Sequence, residues 1–281
     1  ERATYRLSMS YLSEDGTTKG TGLTRFNTSL NIGYRFSEKL TVRTEYTYSD
    51  TEKKAPWTTK LRSEAMRKMP NKSPYYIDDT TGEMTDTYFT RQNTDEFQGA
   101  FSSNDGGTNS TNFHPILMAN DSYRNLNTKE QKMTVRANWY ILPELTFYGY
   151  VSMKYNTSKT ETFLPQAATG VVSTNTFANR SSDYYSNNFS LQSEAKLIYA
   201  KDWLDKKHQF TATALWRTSQ SRSSNTTSTR YNVASAAIAD PGSGGGVLLS
   251  QGSGKSEVRS LSGIGSVVYT FLDRYTVNGT V

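Results

Sequence analysis

Over residues 145–155 apolar and polar positions alternate. Leu145, Phe147, Gly149, Val151, Met153 and Tyr155 take one set of positions; Thr146, Tyr148, Tyr150, Ser152 and Lys154 take the other. Side chains along a β-strand point to opposite faces in turn, so this period of two predicts a long strand with an oily face and a wet one. Its length suits a bilayer-spanning strand, which needs roughly 9–11 residues. The alternation recurs along the chain. Residues 3–13 set Tyr5, Leu7, Met9 and Tyr11 against Thr4, Arg6, Ser8 and Ser10, and residues 24–36 bring Phe26, Leu30, Ile32, Tyr34 and Phe36 into phase. Residues 40–48 place Leu40, Val42, Tyr46 and Tyr48 outward and Thr41, Arg43, Glu45 and Thr47 inward.

A fourth strand is predicted over 126–141, with Met133, Val135, Ala137, Trp139 and Ile141 on its oily side, and 145–155 is the fifth. The sixth carries Tyr185, Phe189, Leu191, Ala195, Leu197 and Tyr199 against Ser190, Gln192, Glu194 and Lys196; the seventh carries Phe210, Ala212, Ala214 and Trp216. Leu261, Gly263, Gly265, Val267, Tyr269 and Phe271 mark the eighth, and Tyr275, Val277, Gly279 and Val281 a last partial strand. Short turns at 37–39, 142–144, 202–207 and 272–274 force antiparallel partners. The connections on the other side are long and polar, at 14–20, 49–125 and 156–183, with a Ser/Gly/Thr-rich loop before the eighth strand. Short turns at one end and long loops at the other are the signature of an all-β, antiparallel transmembrane β-barrel. About nine strands with two open edges cannot sit in hydrocarbon, so the chain reads as part of one larger barrel domain in a longer polypeptide.

Composition sharpens this picture. Of 281 residues only 35% are hydrophobic, yet 12% are aromatic and 19 are Tyr, which suits a thin apolar band with aromatic girdles and polar walls. No stretch approaches the roughly 18 apolar residues of a membrane helix. The formal charge of +6 is dispersed, and its longest basic cluster, Lys53-Lys54, is too short for a nucleic-acid stripe. The absence of cysteine fits a cell-surface bacterial protein and many others equally.

The order of several short motifs resembles the SusC/RagA family of TonB-dependent outer-membrane transporters of Bacteroidetes. They are Ala3-Thr4-Tyr5-Arg6-Leu7-Ser8-Met9-Ser10-Tyr11, Gly20-Thr21-Gly22-Leu23-Thr24-Arg25-Phe26, Arg67-Lys68-Met69-Pro70-Asn71, Phe163-Leu164-Pro165-Gln166-Ala167-Ala168-Thr169-Gly170 and the hairpin Tyr269-Thr270-Phe271-Leu272-Asp273-Arg274-Tyr275. The resemblance implies a 22-stranded barrel in the outer membrane with an N-terminal plug, energised through TonB and capped by a SusD-like surface lipoprotein. It implies uptake of oligosaccharides or, in some members, peptides. The plug, the TonB-contacting segment and the remaining strands lie outside this stretch.

The candidate chemistry is that of binding and gating, with no bond made or broken and no cofactor. Trp57, Tyr75, Tyr76, Tyr88, Phe89, Phe97 and Phe101 crowd the longest loop among Asn, Asp and Gln. Such a mixture stacks on sugar rings and hydrogen-bonds their hydroxyls, and it equally packs a loop onto itself. Inward-facing Arg6, Arg43, Glu45, Arg136, Glu194 and Lys196 give the lumen a mixed charge, which suits a neutral solute slightly better than a strongly charged one. The run 78–86 gathers four carboxylates around Gly82 but lacks the ligand order of a calcium loop, so it reads as a hairpin turn. Residues 59–69 read as a helix presenting Leu61, Ala65 and Met69. His114 and His208 stand apart, with no second ligand at metal spacing, and read as structural. A carbohydrate-binding or adhesive surface module without transport is the alternative reading, and an outer-membrane hydrolase has no supporting constellation. Nothing in the loops separates one glycan from another, or glycans from peptides.

Overall fold

Every long strand among the described residues joins one antiparallel sheet. The computed structural model describes residues 2–67, 73–88, 114–169, 178–204, 207–234 and 246–281. Strands β1 (Ala3–Asp15), β2 (Gly22–Arg35) and β3 (Leu40–Lys54) come first. Helix α1 (Thr58–Arg67), a small hairpin of β4 (Tyr75–Ile77) and β5 (Met84–Tyr88), and helix α2 (Pro115–Asp121) follow. The chain then re-enters the sheet as β6 (Tyr123–Leu142) and β7 (Leu145–Leu164), crosses the short α3 (Gln166–Thr169), and continues through β8 (Arg180–Trp203), β9 (His208–Tyr231), β10 (Val247–Phe271) and β11 (Tyr275–Thr280). The sheet order is β1-β2-β3-β6-β7-β8-β9-β10-β11, each strand beside its sequence neighbour in the sheet, with β4 and β5 paired separately.

The register turns the alternation into two continuous surfaces. Arg6, Asn31, Glu45, Thr134, Ser152, Gln192, Ser219 and Ser260 stand side by side across eight strands, polar at every step. One residue along, on the opposite face, Leu7, Leu30, Tyr46, Met133, Met153 and Leu191 form an apolar row. Where Ser193 and Thr218 interrupt the apolar face, their hydroxyls bond to each other, which removes two unsatisfied polar groups from an oily surface. The apolar band carries no protein core: Leu7, Met9 and Leu261 are each more than half exposed. A water-soluble sheet would cover such a surface.

The apolar band slopes across the rows. Its upper edge stands at Tyr11 and Phe26 on β1 and β2, whereas on β10 it stops at Leu261, about six residues short of Lys255, which shares the row of Tyr11. That fall is about 20 Å over about 34 Å of sheet width, a slope of about 30°. Barrel strands tilt by a similar angle to their axis, so a level band must cross a tilted register in this way.

The strands run further than the alternation predicts. β8 and β9 have 24 residues each and β10 has 25, about 80 Å of extended chain, far beyond what a hydrocarbon layer of about 30 Å demands. Both ends of the predicted polar connection at 156–183 are strand, since β7 ends at Leu164 and β8 begins at Arg180. Likewise β3 continues to Lys54 and β6 begins at Tyr123. Above the apolar band both faces meet water, so Ser, Thr and Asn occupy both and the period-two signal vanishes while the backbone ladder continues. At the opposite end the turns are tight. Leu272 and Asp273 both take left-handed φ values, 54° and 52°, in the three-residue connection between Phe271 and Tyr275, where the Arg274 amide donates to the Phe271 carbonyl at 3.1 Å. The Gln209 amide donates to Asp273 Oδ1 at 2.6 Å and pins this turn to β9.

Candidate functional site

The six charged side chains expected to share a face do so. Arg6 and Glu45 stand in one polar row, Arg43, Arg136 and Glu194 in the next, and Lys196 in the row beyond. Their charges are not evenly mixed, however. Glu45 is taken by Arg136 at 3.5 Å, and Glu194 by Arg217 Nε and Nη2 at 3.0 and 2.9 Å. The Arg136 guanidinium also lies over the Tyr150 ring, 5.6 Å from its centre. No carboxylate among the described residues pairs with Arg6, Arg43 or Lys196, so this wall is locally positive. Arg43 stands directly opposite Arg136 in the register, an arrangement that costs stability unless an anion or ample water screens it. The pair borders a groove of about 260 Å³ where Gly33 leaves the surface without a side chain.

At the long-loop end four connections lock into one layer. Its core is Trp57, Leu61, Leu117, Met118, Leu164 and Ala168, with Tyr88 and Ala119 packed against it. The Arg62 guanidinium donates to Thr18 Oγ1 at 2.9 and 3.0 Å, tying α1 to the β1–β2 loop. Gly20 approaches α2 so closely, at φ +79°, that a Cβ there would stand 2.8 Å from the Ala119 carbonyl oxygen. The His114 amide donates to the Ala168 carbonyl at 2.9 Å, joining the β3–β6 and β7–β8 connections. Asn179 joins the last pair: its Oδ1 accepts from the Gln166 amide at 2.8 Å and its Nδ2 donates to the Val233 carbonyl at 3.0 Å. The Arg180 guanidinium lies over both the Trp57 and Tyr231 rings, 6.0 and 5.7 Å from their centres. Leu164, Arg180 and Tyr231 belong to the polar face by register, so the layer leans over that face.

The loop aromatics divide accordingly. Trp57 is buried in the layer's core. Tyr75 stacks on Tyr88 at 4.9 Å, and Tyr88 meets the His114 ring edge-on at 5.2 Å. Tyr76 is 40% exposed on the small hairpin, whereas Phe89, Phe97 and Phe101 lie outside the described residues. His114 caps α2: its Nδ1 accepts from the Leu117 amide at 3.2 Å, leaving Nε2 to donate to the Pro74 carbonyl at 3.1 Å. His208 sits at the other end of the molecule, 2.6 Å from the Tyr269 hydroxyl.

Helix α1 uses a different face from the one expected. Leu61 and Glu64 turn into the layer while Ala65 is exposed, and Met69 lies outside the described residues. A spacing of three fits a helix face as well as four does. The ion pair from Lys60 Nζ, at 3.3 Å, lets the Glu64 carboxylate be buried there.

The acidic run 78–86 comprises the hairpin turn between β4 and β5, residues 78–83, and the first three residues of β5. Asp78 Oδ1 accepts from the Thr80 and Thr81 amides at 2.7 and 3.2 Å, and Gly82 supplies the left-handed φ of +70°. These two amides hold the Asp78 carboxyl below its ordinary range. A folded-state value below the unfolded one means that its contribution is present above the carboxylate range and is lost as pH falls through the lowered value. The protection of the Thr80 and Thr81 amides, taken as the observed exchange rate relative to the intrinsic rate at each pH, is expected to fall on acidification. In Asp78→Ala it should be low at every pH, and unchanged protection in that variant would remove the carboxylate from the turn.

Arg217 was legible in the alternation, one place after Trp216 on the seventh strand. Arg180, Asn179 and Tyr231 were not, because they lie beyond the apolar band, where no pattern marks the strand.

Comparison with solved structures places this architecture. The RagAB peptide transporter matches with a TM-score of 0.65 at 12% identity. The RagAB peptide importer matches in its "closed-closed" state at 0.65 and 14%, and in its "open-open" state at 0.64 and 14%. These alignments cover 99–100% of this chain and 30% of the matched chain, so the chain spans less than a third of those proteins' length. No family model and no curated protein sequence matches it. Identity at this level speaks to the fold, and the fold is that of an antiparallel transmembrane β-barrel wall.

Proposed function

We propose that this chain forms part of the wall and mouth of an outer-membrane importer. In this reading the apolar band faces lipid, the polar face lines a lumen, and the loop layer overhangs the extracellular entrance. The observation that carries it is the coincidence of two features on one face: the surplus of cations and hydroxyls, and the layer that leans over them. A sheet with a bare apolar band opposite does not suit a water-soluble binding module. The likeness to both states of the RagAB importer supports the barrel architecture on which the reading rests.

The larger assembly belongs to the same proposal. Further strands would pair with the open edges of β1 and β11, a plug would fill the enclosed space, and TonB would supply the energy. A SusD-like lipoprotein would close the mouth, and the solute would be an oligosaccharide or a peptide. Cation-rich walls favour solutes carrying some negative charge, which shifts the expectation away from strictly neutral ones.

Residues 1–281 contain no cysteine, so this stretch adds no background label of its own. In cells expressing the full-length protein, Ser190→Cys lies on the polar face and Leu191→Cys on the apolar one. A bulky, membrane-impermeant thiol reagent should label the first and block uptake, and should leave the second unlabelled. Labelling of both positions, or uptake untouched by a labelled Ser190→Cys, would remove the lumen from the polar face.

A further inference from the structure

On β8, β9 and β10 the apolar face ends in two adjoining grooves that share Arg222. The lower, about 390 Å³, includes Leu191, Leu261 and Arg259; the upper, about 570 Å³, includes Tyr155, Phe189, Lys255 and Glu257. Arg222 and Arg259 both reach the Glu257 carboxylate, at 3.3 and 2.6 Å, and the two arginine side chains remain 54% and 66% exposed. No carboxylate among the described residues pairs with Lys255. Three cations thus surround one carboxylate at the upper edge of the band, with Phe189 beside Arg222 in the register and Tyr155 one strand further along the same row.

We propose that this double groove binds a phosphorylated lipid of the outer leaflet, its phosphate among Arg222, Lys255 and Arg259 and its acyl chains over Leu191 and Leu261. The inference rests on the lipid-facing assignment of the apolar side. Charge complementarity favours it, since the cluster carries a surplus positive charge that a phosphate neutralises. Position favours it as well: the cations stand at the height where headgroups begin, and Tyr155 and Phe189 mark the aromatic girdle of that interface. Guanidinium groups suit the purpose, because their planar donors match phosphate oxygens in pairs. Glu257 holds the two arginines apart and competes with the phosphate for them.

The experiment uses the full-length protein in neutral detergent, titrated with phosphatidic acid in mixed micelles and followed by native mass spectrometry. Phosphatidylcholine and inorganic phosphate are the comparison arms. Phosphatidic acid should bind in preference to both. Arg222→Gln and Lys255→Gln should each weaken binding about fivefold, the worth of one cation near an anionic surface. Glu257→Gln should tighten it. Unchanged affinity in both cation variants, or equal binding of inorganic phosphate, would overturn the lipid site. Extraction of the protein from membranes without detergent would overturn the lipid-facing assignment itself. A detergent-requiring protein that ignores phosphatidic acid would lose only the lipid site.

Discussion

Val267→Arg is expected to deplete the folded, membrane-inserted protein, whereas Val268→Arg beside it is expected to be tolerated. The two residues are the same type, adjacent on one strand, and similarly exposed at 45% and 37%. They differ in the face they occupy: Val267 pairs with Ala212 and Gly279 within the apolar band, and Val268 with Thr211 and Asn278 on the polar side. An arginine facing lipid near the membrane midplane costs about 2–4 kcal/mol, while wall positions facing water accept it far more readily. Even 1–2 kcal/mol changes protein abundance several-fold in cells. Heat-modifiable migration of both variants from isolated outer membranes reads the difference. Equal yields would mean that the apolar face does not meet lipid. The comparison is cleaner than one built on Val151 and Ser152, because Ser152 is buried and hydrogen-bonded to Thr134 at 3.3 Å, so enlarging it would disturb packing on any reading.

The second large effect is expected at Trp57. Its truncation to Ala removes the largest member of the cluster formed with Leu61, Leu117, Met118, Leu164 and Ala168. Loss of a buried aromatic of this kind costs about 3–5 kcal/mol, more than a small cluster of loops is expected to spare. The layer should open while the sheet, which shares none of these core contacts below Leu164, stays inserted. Protease added to intact cells should then cut within residues 55–122, and uptake should fall without loss of barrel. A protected loop in Trp57→Ala would show that hydrogen bonds such as those of Asn179 suffice to hold the layer.

What the sequence disclosed depended on where water and oil meet the strand. Within the band, Leu145 to Tyr155 could be read because each alternate residue faces a different solvent. The same rule placed Arg43, Glu45, Arg136 and Glu194 on one face. Above the band the strand sequences Asn156-Thr157-Ser158-Lys159-Thr160 and Ser223-Ser224-Asn225-Thr226-Thr227 are polar throughout. Water on both sides erases the contrast, and these residues were assigned to loops. Charge pairing was hidden for another reason. That Glu194 serves Arg217 and leaves Lys196 uncompensated depends on the cross-strand register, which no single strand encodes. Nor could loop composition tell which aromatics pack inward: Trp57 and Tyr76 lie in similar sequence surroundings, yet one is core and the other is exposed.

The great length of β8 to β10 fixes a height. From Arg259 at the edge of the band to Val247 at the strand's end, β10 climbs about 12 residues, which at its tilt amounts to about 30 Å. In the proposed importer the entrance would therefore stand well clear of the headgroups, so that a bulky hydrated solute could be met above the membrane surface without first shedding water against it. A lid anchored by a lipid would need about ten extended residues of tether merely to reach that rim. Shortening such a tether should abolish closure without touching a single contact at the mouth.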